Sequence, residues 1–340
     1  MQSVEVRKAC PVTTLPAWGL IAALLPCPLE LGWITTMDVT LPETHHGTSA
    51  LSFDPAKHRL WLLSDLPDAT LSSWTLPTPR SNPRLLSSQQ LQSADTNGLQ
   101  LDSEAMVIDG DQLWIASEGR ASPDRAALLL RFALHRGALV ETVALPRERQ
   151  PEADQGLESN AGPESLARLS PPKAPLELLM ASERPLRQDP PDQVRLLRWF
   201  WPPGSDRTRA APQSEEHGAL RGPAESGWGL TDLLVLHPEG AGRPQLLSLW
   251  RRHRDPLQWD NQLRLYPLPT AGTVVDALKH WDLQAIGLTP ENWEGIAVGP
   301  LVSPGQPSLL LVSDDNRNPL QSSRMALLLP RRAKGCVGAH

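Results

Sequence analysis

The chain has 340 residues, a formal net charge of −6, 21% charged residues and 40% hydrophobic residues. This balance is typical of a globular protein and excludes general disorder, and the lack of a basic block argues against nucleic acid as a partner. The chain contains 35 prolines, about twice the average usage. Because they lie between short apolar runs, they favour many short strands and turns over long helices.

The first 30 residues combine Arg7 and Lys8 with an apolar run at 15–27. Such a start is typical of a signal peptide, and the run is too short for a stable transmembrane anchor. No clear cleavage motif follows, so the sequence leaves open a periplasmic or secreted protein and a cytoplasmic one. We predict a signal peptide or disordered segment over 1–30, one domain over 31–330 and a flexible tail over 331–340.

The cysteines are Cys10, Cys27 and Cys336, near the two ends of the chain. Their odd number and the lack of a CxxC pair exclude a disulfide scaffold and a zinc site.

Short apolar runs of strand length follow one another from residue 34 onward. They lie at 34–41, 60–63, 113–116, 176–181, 233–236, 246–250 and 309–312. The stretch 273–281 is a candidate for one short helix, and 147–159 and 202–228 have the composition of long loops. The pattern predicts an all-β chain.

An acidic unit recurs along these runs. Each copy holds a leading acid, a small apolar strand, a turn, a second apolar strand and a Ser-acid pair. The clear copies begin at Glu104, Glu164 and Glu294, and weaker copies begin at Ser49 and Asp232. The spacing of roughly 60 residues is somewhat longer than a common propeller blade. It predicts a β-propeller of five to six blades, with six favoured if 34–41 pairs with 325–329 to close a sixth.

The repeated residues resemble the esterase-like activity of phytase family, which is related to the β-propeller alkaline phytases. The resemblance covers about residues 35–330. It rests on Leu63-Ser64-Asp65, Asp102-Ser103-Glu104-Ala105, Ala116-Ser117-Glu118-Gly119, Asn160-x-Gly162-x-Glu164, Ser182-Glu183, Asn292-x-Glu294-Gly295-Ile296-Ala297 and Ser313-Asp314-x-Asn316. It implies a phytase-like propeller and, for its activity, hydrolysis of phosphoesters or other esters. The motifs contain few lysines, which argues against phytate itself as the substrate.

The leading acids Glu104, Glu164, Asp232 and Glu294 are expected to open the innermost strands and to converge on the central channel. Carboxylates at such short distances repel one another, so either one takes up a proton or a cation joins them. Oxygen ligands without His or Cys favour Ca²⁺, with Mg²⁺ as the alternative. The competing interpretation is that these acids accept backbone hydrogen bonds and only hold neighbouring blades together.

The trailing acids Glu118, Glu183 and Asp314 are candidate catalytic residues at the rim. Candidate substrate-binding residues are Asp65, Arg120, Arg184, Arg317 and Asn316, since guanidinium groups suit phosphate and carboxylate oxygens. A metal beside arginines is suited to ester hydrolysis. Solvated ion pairs with no role in binding are the competing interpretation.

These features predict a metal-assisted hydrolase of phosphoesters or small esters, with its site at the channel mouth. The expected partner is a small anionic ester, and we expect a monomer. Two alternatives remain open, a non-catalytic propeller that binds a ligand or protein and a lactonase-like calcium propeller. The chain lacks the GxSxG elbow of serine esterases and the HExxH motif of zinc proteases.

Overall fold

The computed structural model describes residues 33–41, 46–66, 69–76, 82–92, 101–118, 126–152, 154–207, 209–237, 242–254, 258–303 and 306–330. Segments 1–30 and 331–340, the three cysteines, and Arg120 lie outside these ranges. Within them the only helix is one 3-10 turn at Arg147–Arg149. No helix in the described part of the chain is long and apolar enough to cross a membrane.

The described strands form five sheets, each one a blade. Strand β1 (Trp33–Thr40) comes first in the chain. Blade 1 contains β2 (Thr48–Asp54), β3 (Arg59–Ser64), β4 (Thr70–Thr75) and β5 (Leu85–Gln90). Blade 2 contains β6 (Ser103–Asp109), β7 (Gln112–Ser117), β8 (Leu128–Ala133) and β9 (Ala138–Ala144). Blade 3 contains β10 (Pro163–Arg168), β11 (Glu177–Ser182), β12 (Gln193–Phe200) and β13 (Gln213–Arg221).

The chain continues through the last two blades in the same way. Blade 4 contains β14 (Trp228–Leu236), β15 (Gln245–Arg254), β16 (Gln258–Pro267) and β18 (Lys279–Asp282). The short strand β17 (Val274–Val275) precedes β18 in the chain but pairs with β13 of blade 3. Blade 5 contains β19 (Asn292–Ser303), β20 (Gln306–Asp314) and β21 (Arg324–Pro330). The first strands of the blades adjoin in a closed ring, in the order β2, β6, β10, β14, β19 and back to β2. The all-β propeller prediction is therefore confirmed.

Strand β1 closes this ring. It pairs antiparallel with β21, with Ile34 opposite Leu329 and Thr40 opposite Arg324. The predicted pairing of 34–41 with 325–329 is thus confirmed, but the prediction of a sixth blade is wrong. Among the described residues after 291, three strands belong to blade 5, and the N-terminal strand completes that blade at its outer edge instead of starting another one.

Apolar side chains fill the wedges between blades. Each of the five buried clusters contains residues from two neighbouring blades. One cluster, for example, contains Trp114 of blade 2 and Met180 of blade 3. Trp33, Trp74 and Trp293 are fully buried in such wedges. The interior is therefore divided by blade contacts, and burial of large aromatic side chains stabilises each contact.

Two local predictions are wrong. The segment 273–281 forms strands, because the β-branched pair Val274–Val275 adds a parallel strand to β13 and β18 then returns to β16. β-branched residues fit a pleated surface better than a helix. The segment 202–228 contains the full strand β13, which its polar composition concealed.

Candidate functional site

Every inner strand has a register shift close to its first residue. The shifts fall at the same place in each blade and leave one extra residue unpaired. Such a bulge re-aims a side chain. The residues at these shifts are Ser49, Glu104, Glu164, Thr231 and Glu294. The structure thus gives the leading positions of blades 2, 3 and 5 to glutamates, as the repeat predicts, and those of blades 1 and 4 to hydroxyl residues.

The hydroxyl residues join neighbouring inner strands. The Oγ of Ser49 donates to the carbonyl oxygen of Ser103 at 2.5 Å, and the Oγ1 of Thr231 donates to that of Trp293 at 3.3 Å. In both cases the acceptor lies one residue before the glutamate of the next blade. These two blades therefore use the bulge for a contact between blades instead of a charge.

Asp232 does not join the three glutamates. It lies one residue past the bulge, where its Oδ1 accepts the amide of Leu233 and its Oδ2 accepts the amide of Ile296, both at 2.8 Å. Burial raises the pKa of Asp232 well above its usual value, against the lowering by these two bonds. Asp232 therefore connects blade 4 to blade 5. This arrangement matches the competing interpretation, in which a leading acid accepts backbone hydrogen bonds and holds neighbouring blades together.

The trailing positions also form a set, one at the end of each second strand. In blades 1, 2, 3 and 5 they hold Asp65, Glu118, Glu183 and Asp314. In blade 4 the residue at this position is Arg251, which pairs with Gly229 as Asp314 pairs with Asn292. One basic residue therefore stands in a ring of acids.

Arg251 neutralises one side of the ring. Its Nη1 donates to Glu294 and to the side-chain oxygen of Asn292, and its Nη2 lies 3.8 Å from the Oε1 of Glu183. Burial lowers the pKa of Arg251, but Glu294, Glu183, Glu164 and Glu104 outweigh it and raise the pKa above its usual range. The guanidinium is a permanent internal cation.

The other side of the ring, formed by blades 1 and 2, is acidic. One carboxylate oxygen from each of Asp102, Glu104 and Glu118 lies within 4.8 Å of the other two. Burial and then the charges of Glu164, Glu294, Glu118 and Asp65 raise the pKa of Glu104 well above its usual value. The group is suited to a hard divalent cation, which would relieve this repulsion.

Three trailing acids titrate near neutrality. Burial, followed by the charges of Asp314 and Asp102, raises the pKa of Asp65 to about 7. Burial raises the pKa of Glu118 to about 7 against the hydrogen bond from Gly162. Burial and Asp315 raise the pKa of Asp314 to about 6. The site therefore holds protonated and ionised carboxyl groups side by side at neutral pH, as general acid–base chemistry requires.

Glycines bring the trailing acids close to the next blade. The amide of Gly162 donates to the Oε1 of Glu118 at 2.7 Å, and a Cβ at Gly162 would overlap the Glu118 side chain. A Cβ at Gly229 would likewise overlap the carboxylate of Glu183. The residue two positions before the bulge is therefore a glycine where an acid from the preceding blade lies against it.

The turn after β20 borders the acidic side. His46 Nδ1 lies 2.5 Å from the Oδ2 of Asp315, whose Oδ1 accepts the amides of Gly47 and Arg317. Arg317 lowers the pKa of Asp65, so its charge reaches the ring. Asn316 is exposed and binds Gln321. Of the predicted substrate-binding residues, Asp65 belongs to the ring, Arg317 acts on it through its charge, and Arg184 lies 3.9 Å from Glu183.

Sequence reasoning missed Asp102 and Arg251. Asp102 stands in the motif that carries the family resemblance, and Arg251 belongs to the weak copy of the repeat that lacks a trailing acid. Aligning Trp250-Arg251 with Ser117-Glu118 would have placed the arginine in the ring.

A family model described as phytase-like, esterase-like activity of phytase, matches residues 43–317. The chain belongs to the phytase-like family. The resemblance drawn from the repeated motifs is therefore confirmed. No curated protein matches the sequence.

Several solved structures are similar to this chain although their sequences are very different. An endo-arabinase from Bacteroides thetaiotaomicron is 10% identical over 87% of this phytase-like chain and 98% of its own, with a TM-score of 0.50. An α-L-arabinanase from Cellvibrio cellulosa is 11% identical over 84% and 91% of the two chains, with a TM-score of 0.45. RS223-β-xylosidase is 9% identical over 86% and 94%, with a TM-score of 0.47. The likeness to the endo-arabinase concerns the fold alone.

Proposed function

We propose that this phytase-like propeller is a metal-assisted hydrolase of phosphoesters or other small esters, with its site at the mouth of the central channel. The observation that carries the proposal is the group of Asp102, Glu104 and Glu118, whose ligand oxygens lie within 4.8 Å of one another. All donors are oxygens, which suits Ca²⁺ and, second, Mg²⁺. Family membership supports a hydrolase in general terms.

A bound cation would supply Lewis acidity and lower the pKa of a ligated water. The chain supplies the proton transfers, through Asp65 and Asp314, whose pKa values are about 7 and about 6. An ionised carboxylate accepts a proton as a water oxygen attacks the phosphorus or acyl carbon. A protonated carboxyl group donates to the leaving oxygen as the ester bond breaks. One water is consumed, and an alcohol and an acid are formed.

The second function is a propeller that binds a ligand or protein without catalysis. Asp232 and the Arg251–Glu294 pair favour it, because both place acids in contacts between blades. In that case the acids would stabilise the ring and no turnover would be seen.

Chromogenic phosphate and carboxylate esters, assayed on chelated protein with and without added Ca²⁺ or Mg²⁺, separate the two functions. We expect cation-dependent turnover that falls at least a hundredfold in Glu104→Gln and Asp314→Asn, on the scale of acid–base catalysis at about 10²–10⁴. Asp206→Asn is the matched control, since its side chain is 57% exposed in a surface pair with Arg209. Folded protein without turnover on the whole panel supports the binding function. Turnover that survives both site variants contradicts the proposed site.

A further inference from the structure

His46 lies at the edge of the acidic side of the ring, between two acids to which the proposed function assigns proton transfers. It directly precedes Gly47, whose carbonyl oxygen accepts the amide of Asp65 at 2.9 Å. A Cβ at Gly47 would overlap the Oδ1 of Asp65. The imidazole also contacts Asp315, which directly follows Asp314. His46 therefore connects blade 1 to blade 5 beside the site.

Asp315 makes to blade 1 the same contact that Glu118 makes to blade 3. The Oε1 of Glu118 accepts the amide of Gly162, and the Oδ1 of Asp315 accepts the amide of Gly47 at 3.2 Å. Both glycines stand two positions before a bulge. Since one carboxylate oxygen is enough to join the blades, the second oxygen of Asp315 is left for another partner. That oxygen, Oδ2, lies 2.5 Å from the Nδ1 of His46.

The charge of Asp315 fixes the tautomer of His46. Burial raises the pKa of Asp315, but hydrogen bonds from His46, Arg317 and Gly47 outweigh burial and lower that pKa below its usual value. An ionised carboxylate has acceptor atoms only, so the Nδ1 of His46 donates to it. In the neutral imidazole the Nε2 then carries a lone pair and no proton. The side chain is 49% exposed, which leaves the imidazole open to water.

The turn that carries Asp315 has an unfavourable backbone conformation. Asn316 and Arg317 have φ values of +49° and +52°, in a region that residues with a Cβ seldom occupy. The amide of Arg317 donates to the Oδ1 of Asp315, and the amide of Asn318 donates to its carbonyl oxygen at 2.7 Å. Such conformations persist where surrounding contacts hold them, and they are frequent at functional sites. The carboxylate that orients His46 is thus held in place by its own turn.

We propose that His46 is a catalytic residue of this hydrolase, the general base for the attacking water, and that Asp315 is its positioning residue. The Nε2 accepts a proton from water as the water oxygen bonds to the phosphorus or acyl carbon. The leaving oxygen takes a proton from a ring carboxyl group as the ester bond breaks. The imidazolium then releases its proton to solvent, from which the carboxylate is protonated again. This inference rests on the proposed function and deepens it, because it adds a base outside the ring of carboxyl groups.

Two variants separate a general base from a purely structural contact. In His46→Gln the side-chain amide still donates to Asp315 but has no basic nitrogen, so we expect an unchanged Tm, a similar KM and a kcat about 10²-fold lower. In Asp315→Asn the amide oxygen takes the place of Oδ1, which accepts two backbone amides. Its amino group then faces His46 and moves the imidazole proton to Nε2, so we expect kcat to fall although His46 is present. His135→Gln is the matched control, since that exposed histidine follows β8 at the end of blade 2 remote from the ring.

Nitrogen-15 NMR of histidine-labelled protein gives the tautomer without any substrate, and the His46 signals are assigned by their loss in His46→Gln. We expect the neutral ring to carry its proton on Nδ1 in the unaltered protein and on Nε2 in Asp315→Asn. A proton on Nε2 in the unaltered protein overturns the inference. A tautomer that stays the same in Asp315→Asn contradicts the role of Asp315.

Turnover of 4-nitrophenyl phosphate and 4-nitrophenyl butyrate with added Ca²⁺ or Mg²⁺ gives kcat and KM for each variant. Cation-dependent turnover with the same kcat in His46→Gln overturns the inference and leaves the hydrolase standing. A kcat that falls in His46→Gln and in Asp315→Asn but not in His135→Gln supports both. No turnover of either ester by the unaltered protein contradicts the hydrolase and, with it, the role of His46 as its base.

Discussion

The two sides of the central ring are built from the same repeat but differ in charge. On the side of blades 1 and 2, Asp65, Asp102, Glu104 and Glu118 lie together, and carboxylates are the main charges that raise the pKa of Glu104. On the side of blades 3 to 5, Arg251 contacts Glu183 and Glu294. One residue type at one repeat position thus divides the ring into a self-neutralised half and a half that is suited to a cation.

The largest expected effect follows from removing the internal cation. Arg251→Met leaves Glu183 and Glu294 buried without their partner, so we expect the free energy of unfolding to fall by about 3–5 kcal/mol. Urea denaturation at neutral pH measures it. Arg254→Met is the matched control, because that side chain is 54% exposed and pairs with Asp260; surface pairs contribute about 0–1 kcal/mol. Equal losses in the two variants would show that Arg251 does not hold its half of the ring.

The next effect tests which half binds a cation. A ligand at a free concentration of 100 times its Kd stabilises the folded protein by about 2.7 kcal/mol. We therefore expect added Ca²⁺ to raise the Tm of protein from which metal ions have first been removed by a chelator. Glu104→Gln should abolish that rise, whereas Glu183→Gln, on the neutralised half, should keep it. Thermal unfolding with and without Ca²⁺ gives the comparison. A rise lost equally in both variants contradicts the division of the ring.

The acidic half also predicts a pH dependence. Because the pKa of Asp65 is raised from 3.8 to about 7, the folded protein holds a proton that the unfolded chain has released. In metal-free protein the stability contributed by this group therefore falls as pH rises from about 4 to about 7.

Asp65→Asn should remove that slope. We expect the variant to be more stable than the parent at pH 8, on the order of 2 kcal/mol after allowance for solvent screening, and equal to it at pH 4, where both side chains are neutral. Urea unfolding across this range checks it. A parent protein that gains stability between pH 4 and pH 7 through Asp65 would refute the assignment.

The smallest expected effect is on the stability of a variant at Asp232. It tests whether this residue only connects two blades or also binds the cation. Asp232→Asn places an amino group against one of two backbone N–H donors, so we expect a loss of about 1–2 kcal/mol. The Ca²⁺-dependent rise in Tm should stay unchanged, because both oxygens of Asp232 accept amides of Leu233 and Ile296. A Ca²⁺ response that disappears in this variant would place Asp232 among the ligands after all.

The periodic acids predicted more of the fold than of the site. Glu104, Glu164 and Glu294 marked the inner strands correctly, since each copy of a repeat meets the same backbone environment. Asp232 fits the same pattern in the sequence, yet the unpaired residue at the bulge of blade 4 is Thr231. A shift of one residue changes which side chain faces the channel, and a periodic pattern does not contain that information.

The sequence by itself determined the all-β propeller, the family and the acidic ring, because these depend on alternation, turns and a repeated motif. Only the tertiary structure decided that β1 completes a fifth blade, that Arg251 divides the ring, and that Asp102, Glu104 and Glu118 converge. Such features depend on distances between blades, which are set by the packing of the apolar wedges.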